Sequence, residues 1–393
     1  MTDDPQNIEV SVHASIEEIG PKDWDRCGGA QAAPPIDPFT TYRFLHSLET
    51  SKSVGTGTGW QPIYLAARHE SVIIGVAPCY LKTHSQGEYV FDHAWADAYA
   101  RAGGQYYPKI QISVPFTPVS GRRFLCSDPT DTTAQRALFD AARSLILRNQ
   151  FSSLHITFCD KIEADTFTQG GAEDVALLRT GVQYHWRNRD YDSFEDFLTT
   201  LTATKRKNIR KERKQAHGFG GSIECLTGDA ILPQHWDAMW QFYQDTGARK
   251  WGQPYLTRDW FEAIHRTMRD DVLLILAKRG DHYVAGALNF IGADCLFGRY
   301  WGCLEDHKGL HFELCYYQAI EFAISNGLGR VEAGAQGDHK RARGYEPERT
   351  YSLHWFADEG FQTAVQDYLA AETREIETDI TYLETSTPFK PKR

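Results

Sequence analysis

The side chains that could carry out chemistry are concentrated around a glycine-rich loop at residues 334–344. This loop and the segment before it combine an acid, an amide, an imidazole and several cations. A loop held between rigid elements can bring such groups together, so this composition indicates a functional site. A solvated connection is the alternative, because glycine and charge are common in loops. The candidate catalytic residues are Glu332, Gln336 and His339, with Arg299 on an earlier segment.

The elements that must position this loop follow from the hydrophobic pattern around it. Apolar residues recur at helical spacing over residues 312–323, and Asn326 with Gly327 forms a helix C-cap. Short strands are predicted at 330–333 and 350–356. The order helix, strand, loop, strand would therefore hold the charged loop at the end of a strand.

Length and composition indicate a globular protein with two domains. A chain of 393 residues exceeds one typical core, and its 41% hydrophobic and 24% charged residues are ordinary values. The net charge of −10 gives no bulk signal for nucleic-acid binding. An acidic N-terminus and the absence of a long apolar run predict a cytoplasmic protein. The eight cysteines form no C-x-x-C pair, so neither a metal site nor a disulfide framework is predicted.

The order of elements in the first half recurs in the second half. In each half a predicted helix precedes a strand hairpin, and another helix and strand follow. Arg68 and Gly75 of the first hairpin each lie 211 residues before Arg279 and Gly286 of the second. Agreement of several elements in the same order predicts a duplicated unit.

The first half differs from the second by a long insertion at residues 82–136 that is rich in aromatic and polar side chains. Aromatic faces with a few cations suit an extended ligand. A structured loop that packs the two halves together is an equal alternative. The candidate ligand contacts in this insertion are His93, Trp95, Asp97, Tyr107, Lys109 and Arg123.

A basic helical segment at residues 193–217 lies between the halves. Seven of the ten residues at 205–214 are basic. A helix would place four of them on one face, namely Lys207, Arg210, Lys211 and Lys214. Such a concentration of cations suits a polyanion, whether a tRNA backbone, the phosphates of coenzyme A or acidic lipid headgroups. A solvated basic face is the alternative.

Further candidates lie on either side of the second hairpin. Arg249, Lys250 and Trp251 precede its helix, where a cation pair beside an indole could clamp an anion. On the predicted strand at 297–303, alternation places Arg299 and Trp301 on one face and Tyr300 on the other. The candidate substrate contacts of this half are Trp251, Tyr300, Trp301, His311 and Glu313.

Several of these segments resemble the FemAB-like group of the GNAT acyltransferase superfamily. They are YPKIQISVPFTPVSGRRFL at 107–125, KRKNIRKERK at 205–214, TGARKWGQPYLTR at 246–258, GRYWGC at 298–303, HFELCYYQAIEFAISNGL at 311–328 and VEAGAQGDHKRARGYEP at 331–347. The resemblance implies an α/β (α+β) fold of two tandem GNAT-like domains, each with a mixed central sheet flanked by helices. The first domain would be residues 1–180 with the insertion at 82–136. The second would be 181–393, opening with the basic segment and carrying the catalytic loop.

The resemblance also implies N-acyl transfer to an amine. Such a reaction needs a base for the amine and donors for the tetrahedral oxyanion. Glu332 or His339 is the candidate base, and Arg299, Gln336 and Tyr107 would position the carbonyl or the acceptor. The candidate donor- and phosphate-binding residues are Lys205, Lys207, Arg210, Lys211, Arg249, Lys250, Arg343 and Gly344; Arg343 and Gly344 are the nearest counterpart of an acetyltransferase pyrophosphate loop.

The identity of the acyl donor stays open between two classes. The acidic net charge and the aromatic insertion favour a long-chain acyl thioester of coenzyme A or acyl carrier protein as the donor. Bacterial ceramide synthases also look similar to this family, and that resemblance implies a sphingoid amine as the acceptor. Aminoacyl-tRNA-dependent transfer to a peptidoglycan precursor or peptide is the alternative, and a non-catalytic peptidoglycan- or lipid-recognition module is a third. The donor would be a co-substrate, and we expect no permanently bound cofactor, no metal and no DNA partner. Contact with the surface of the inner membrane stays open.

Overall fold

The computed structural model describes residues 8–29, 35–169, 175–250, 254–334, 337–385 and 387–390. The strands are β1 Ile8–His13, β2 Trp60–Pro62, β3 Tyr64–His69, β4 Val72–Ala77, β5 Cys79–Lys82, β6 Lys109–Ile112, β7 Leu125–Cys126, β8 Ser153–Cys159, β9 Leu177–Arg187, β10 Ser222–Thr227, β11 Val272–Arg279, β12 His282–Ile291, β13 Cys295–Cys303, β14 Arg330–Glu332 and β15 Glu346–Phe356. The α-helices are α1 Pro21–Gly28, α2 Tyr42–Thr50, α3 His93–Arg101, α4 Thr132–Asn149, α5 Lys161–Thr168, α6 Phe194–Thr200, α7 Ala203–Ala216, α8 Pro233–Lys250, α9 Arg258–Met268, α10 Leu310–Phe312, α11 Gln318–Ser325 and α12 Glu359–Thr385. A π-helical turn, Glu313–Tyr317, joins α10 to α11.

The chain divides into two compact units. Unit 1 takes its described residues from 1–32, 39–181 and 349–378, and unit 2 takes them from 33–38, 182–348 and 379–393. The passage from unit 1 to unit 2 falls within β9, near the domain boundary predicted at 180. The predicted second domain at 181–393 differs from unit 2, because β15 carries the chain back and residues 349–378 pack in unit 1.

Unit 1 contains two sheets, and helix α4 packs against both of them. One sheet has the order β1-β3-β4-β7. The other has the order β2-β5-β6-β8, with the end of β15 beside β8. Its strands are antiparallel except for the pair β6 and β8. Ile110, Leu154 and Leu353 on its apolar face join Leu138 and Phe139 of α4 in one buried cluster.

Unit 2 contains a sheet of order β10-β11-β12-β13-β14, with the end of β9 beside β14. Only β13 and β14 run parallel. Leu273, Ile275 and Ala285 of this sheet form a core with Leu314 and Ile320 of the α10–α11 helical run. The predicted amphipathic helix at 312–326 is thus confirmed, and so are the strands predicted around the loop.

The two units repeat one arrangement of elements. A hairpin, β3–β4 in unit 1 and β11–β12 in unit 2, is extended by an antiparallel strand, β1 or β10. Each hairpin has a bulge at a corresponding place, between Ala67 and Arg68 or between Ala277 and Lys278. A parallel pair then follows, β6–β8 or β13–β14, with α4 or the α10–α11 run between its strands. The predicted α/β fold of two similar tandem units is confirmed.

Two parts of unit 1 differ from the sequence prediction. The second strand of the first predicted hairpin, at 72–81, is divided at Pro78 into β4 and β5, which lie in different sheets. Proline lacks the N–H that would continue the hydrogen-bond ladder. The insertion at 82–136 contains regular structure that the sequence pattern did not indicate, namely α3, β6 and β7.

In the ranges that the structure describes, no helix is both long and apolar enough to cross a membrane.

Candidate functional site

The parallel strands β13 and β14 of unit 2 part after a short stretch of pairing. Their last pair is Phe297 with Glu332, after which β13 continues to Cys303 while the chain leaves β14. Ligands of open α/β sheets bind outside the carboxyl ends of parallel strands, where side chains of several strands converge. Glu332 occupies such a position.

The Glu332 carboxyl group is buried, with 4% of the residue exposed. Its Oε1 lies 3.4 Å from Nε of Arg330, and its Oε2 lies 3.9 Å from Nε2 of His185. Oε2 has no hydrogen-bond partner among the described residues. Burial raises the pKa of Glu332 to about 7, against the opposing effect of Arg330. Burial also lowers the pKa of His185 to about 3, so this imidazole is neutral at pH 7 and adds no positive charge. A carboxyl group with such a pKa can accept a proton near neutral pH.

A β-bulge at Arg299 changes the direction of its side chain. Leu288 pairs with Tyr300 and Asn289 pairs with Gly298, so Arg299 is the extra residue of β13. Its guanidinium lies 5.3 Å from the centre of the Tyr300 ring, although strict alternation predicted opposite faces. The Arg299 charge also lowers the pKa of Glu332, as a minor effect beside burial and Arg330. Bulges re-aim side chains in this way next to active sites.

A second group of candidate residues surrounds His339. Its Nε2 lies 2.9 Å from the hydroxyl of Tyr316, which belongs to the π-helical turn. The rings of His311 and Phe312 lie 6.3 Å and 5.7 Å from the His339 ring, and Trp301 lies 5.0 Å from His311. His339 is exposed. π-Helical turns occur frequently at functional sites, so this accessible imidazole is a second candidate base.

Lys340, which the sequence analysis did not select, fixes the loop between these two groups. It is buried, and its Nζ donates a 2.7 Å hydrogen bond to the carbonyl of Gly334. Burial lowers its pKa to about 8. Because this bond joins the two sides of the loop, Lys340 limits how far Glu332 and His339 can move apart.

Arg343 and Gly344, which were predicted to bind phosphate, are instead packed against other residues of the fold. Arg343 is 5% exposed, stacks 3.5 Å from the Phe312 ring and donates a 2.9 Å bond to Glu212. A Cβ at Gly344 would lie 2.7 Å from the ring of Phe197, and its φ is +90°. Packing and backbone conformation therefore account for both residues.

The basic helix α7 uses two of its arginines in ion pairs. Arg213 contacts Glu313 and Glu321 at 2.8 Å and 2.7 Å, and Arg210 pairs with Glu195. Glu313, which was predicted to contact substrate, is fully buried. Its carboxylate pairs with Arg213 and accepts a hydrogen bond from Gln318. The remaining cations make no ion pair with any residue that the structure describes; they are Lys205, Arg206, Lys207, Lys211 and Lys214. We call these five residues the basic face.

The predicted ligand contacts of the insertion lie in unit 1 and divide into exposed and buried groups. His93 and Asp97 are exposed on α3, whereas Trp95 is 5% exposed and Lys109 is fully buried. Arg123 is 1% exposed and donates to backbone carbonyls, including that of Thr157 at 2.8 Å. The aromatic insertion therefore does not form an open groove at these residues, and Arg123 has a structural role.

For two further predicted residues the structure describes only the backbone, and two others lie outside the described residues. Arg249 and Lys250 end helix α8. Trp251 and Gln336 lie outside the described residues.

The sequence analysis also missed several buried polar residues of unit 1, which are Lys82, Glu88, Asp92, His155 and His354. The alternating polar positions of β8, Ser153, His155 and Thr157, were the available signal. A buried strand with polar residues on one face indicates a polar layer beneath it.

The family of the chain is decided by comparison with known proteins. A family model named FemAB-like, described as peptidoglycan biosynthesis/recognition, matches residues 15–391. The chain belongs to this FemAB-like family. The resemblance found in the sequence is thereby confirmed. No curated protein matches the FemAB-like chain at the sequence level.

Solved structures show the same fold at low sequence identity. The FemAB-like chain is similar to FemX with 13% identity and a TM-score of 0.53, over 91% of this chain and 100% of that one. It is similar to a conserved protein of unknown function from Bacteroides thetaiotaomicron with 10% identity and a TM-score of 0.51, over 89% and 100% of the two chains. A tandem GNAT protein from the clavulanic acid biosynthesis pathway has 12% identity and a TM-score of 0.46, over 90% and 99%. For the two structures with TM-scores above 0.5, the similarity at these identities concerns the fold.

Proposed function

We propose that this FemAB-like protein is an N-acyltransferase that moves an acyl group from a phosphate-bearing donor to an amine, with Glu332 as the general base. The observation that carries the proposal is a buried carboxyl group with a pKa of about 7 where two parallel strands part. An amine nucleophile must lose a proton as it attacks a carbonyl, and a base with a pKa near the working pH does this best. Transfer then needs no covalent enzyme intermediate.

The base acts as follows in this proposal. Oε2 of Glu332 accepts a proton from the amine while nitrogen forms a bond to the acyl carbon. The bond from that carbon to the donor oxygen or sulfur then breaks, and the leaving group takes the proton from Glu332, which restores the carboxylate. Arg299 supplies positive charge near the carboxyl group, where it can stabilise the oxyanion.

In unit 1 the parallel pair β6 and β8 corresponds to β13 and β14 of unit 2. The surroundings of its end support placing the acyl transfer in unit 2. After β6 ends, the chain folds back along the end of β8, and Gly121 N donates to the carbonyl of Phe158 at 3.0 Å. Glu163 accepts hydrogen bonds from the backbone of Arg123 and Phe124, which fixes this segment. The segment thus occupies the space that a donor would need there.

The basic face supports a donor with several phosphates. Its cations extend over the ten residues from Lys205 to Lys214, which rise about 14 Å along a helix. A set of cations of this length suits successive phosphates of a nucleic-acid backbone better than one pyrophosphate. Burial of the aromatic insertion removes the open groove that favoured a long acyl chain. Aminoacyl-tRNA is therefore the donor to test first, with acyl transfer to a peptidoglycan precursor or peptide, and a long-chain acyl thioester with a sphingoid amine is the second.

The pH dependence of kcat/KM for the amine tests the proposed base. Glu332 must be ionised to accept a proton, so kcat/KM is expected to rise as pH increases through about 7. A carboxyl group with the ordinary pKa of 4.5 would complete this rise well below neutral pH. In Glu332→Gln the limb near pH 7 should disappear. A limb that persists in that variant would assign the base to another group, with His339 as the first alternative.

Neutralising the basic face is expected to weaken donor binding in a salt-dependent way. Each lysine that contacts a phosphate contributes about one unit to the slope of log K against log salt. The double variant Lys207→Ala/Lys211→Ala should therefore lower that slope by about two for tRNA, measured by filter binding. The matched control removes two exposed lysines of unit 1, Lys22 and Lys52. An equal slope for both double variants would contradict a role of the basic face in donor binding.

A further inference from the structure

Two neighbouring strands of unit 2 place a histidine directly opposite the proposed base. In the antiparallel pair of β9 and β14, His185 is the register partner of Glu332, so both side chains lie on the same face of the sheet. Both residues are buried. Nε2 of His185 lies 3.9 Å from Oε2 of Glu332, which is too long for a hydrogen bond. A small rotation of either side chain would bring the two atoms into hydrogen-bond distance.

A second residue of β9 holds the imidazole in its present orientation. Gln183 lies on the same face of the strand, and its Oε1 is 3.2 Å from Nε2 of His185. An amide oxygen only accepts hydrogen bonds, so this contact assigns the proton of the neutral imidazole to Nε2. A neutral imidazole has a single N–H group. Gln183 and Glu332 are therefore two acceptors on either side of one donor.

The ionisation of Glu332 decides which acceptor is favoured. Oε2 of Glu332 is buried and has no hydrogen-bond partner among the described residues. When the carboxyl group loses its proton, a buried oxygen without a donor becomes costly. A hydrogen bond to an ionised acceptor is also about twice as strong as one to a neutral amide. The N–H of His185 should therefore turn from Gln183 to Glu332 when the carboxylate forms.

We propose that His185 is a positioning residue for the base, and that its Nε2–H moves from Gln183 to Oε2 of Glu332 as the carboxyl group ionises. The new hydrogen bond stabilises and orients the carboxylate that awaits the amine. Oε2 keeps a lone pair for the proton of the amine, and the N–H returns to Gln183 after that proton has been transferred. The proposal rests on the proposed role of Glu332, but the hydrogen bond requires no acyl transfer and can be measured without a substrate.

The other titratable groups around Glu332 act on it without bonding to Oε2. After burial, the groups that act on its pKa are Arg330 of the same strand, Asp37 of the segment 35–38, and Cys295 and Arg299 of β13. The charged groups that act on His185 are Arg330, Arg187 and Lys340. Together with burial, which has the largest effect, they keep the pKa of His185 at about 3. The ring therefore keeps its single N–H while Glu332 titrates near pH 7.

Two variants with opposite expected effects test the proposal. His185→Leu removes the donor to the ionised form, so the midpoint of the Glu332 titration should move up by about 1 pH unit. Gln183→Leu removes the competing acceptor, so the midpoint should move down. His185→Gln keeps an N–H donor near the position of Nε2 and should restore the wild-type midpoint.

The measurement is an NMR titration of the full chain labelled with ¹³C at the glutamate carboxyl carbons. Glu332→Gln identifies the signal of Glu332 by its absence. Gln135→Leu is the matched control, because Gln135 is also a buried glutamine but belongs to unit 1. This variant should leave the midpoint of Glu332 unchanged.

The proposal is overturned if the two leucine variants move the midpoint in the same direction, or if neither moves it, since loss of packing alone gives no opposite signs. Should His185→Leu not fold, Gln183→Leu decides: a lower midpoint supports the proposal, and an unchanged or higher one overturns it. A wild-type midpoint near 4.5 would contradict Glu332 as the general base. Opposite movements around that midpoint would still support the hydrogen bond, so the two ideas can fail separately.

Discussion

Replacing Glu332 with glutamine is expected to lower kcat for acyl transfer by about 10²- to 10⁴-fold, the range for loss of a positioned general base. The amide has the size of the carboxyl group but cannot accept the proton of the amine. The measurement is the single-turnover rate with a donor and an amine that give product. His339→Ala should reduce the rate much less, because that imidazole is exposed and is not the proposed base.

The same substitution should not destabilise the fold, which separates a catalytic effect from a structural one. The pKa of Glu332 is raised from 4.5 to about 7, so the folded protein favours the protonated form. The stability that this group contributes is complete below pH 4.5 and is lost as pH rises through 7. At pH 8 Glu332→Gln should therefore be more stable than the wild type, by roughly 3 kcal/mol. A rate loss accompanied by a lower free energy of unfolding would indicate a structural role.

A suitable control for the catalytic effect is Glu163→Gln in unit 1. Glu163 is also a buried carboxyl group, and burial raises its pKa to about 8. It accepts hydrogen bonds from backbone N–H groups, so its replacement should affect stability. The rate per folded molecule should stay that of the wild type.

The second large effect is expected for Arg213→Ala, which should lower the free energy of unfolding by about 3 kcal/mol. Arg213 is the cation that pairs with Glu313, a carboxylate with no exposed surface. Its removal would leave a buried negative charge whose remaining partners among the described residues are Gln318 and His217, at 2.8 Å and 3.3 Å. Chemical denaturation followed by tryptophan fluorescence measures the change.

Arg210→Ala is the matched control for this effect, since it removes the same side chain from the same helix. Arg210 pairs with Glu195, and about half of each side chain or more is exposed. Exposed ion pairs contribute about 0–1 kcal/mol. Equal losses for Arg210→Ala and Arg213→Ala would contradict the structural role assigned to the buried pair.

Local sequence patterns predicted much of the fold. The apolar stripe at 312–323 and the cap at Asn326 predicted the helical run that ends at Ser325. The order of the predicted elements revealed the repeat that the two hairpins confirm, although their bulges align Arg68 with Lys278 and not with Arg279. These features depend on neighbours within one or two turns or on the order of elements, which a sequence displays directly.

The partners of the charged residues could not be predicted from local sequence patterns. Arg343 and Arg213 are paired with acids that lie 131 and 100 residues away in sequence. Lys109 is paired with Glu88 and Asp92 inside a fold whose cover was not predicted. From the sequence alone, a cationic side chain is expected to face solvent or to bind a ligand. Only the tertiary structure shows that it pairs with a buried acid. The basic face is the part of the predicted cation cluster that packing leaves available.

The most direct test of the central claim is product analysis with paired donors. The purified protein is incubated with an amine acceptor and an isotope-labelled acyl group, carried either by tRNA or by coenzyme A, and the products are analysed by mass spectrometry. The proposal predicts a labelled amide from one of the donors and almost none with Glu332→Gln. If both donors bind and neither yields an amide, the protein is a recognition module and the proposed transfer is wrong.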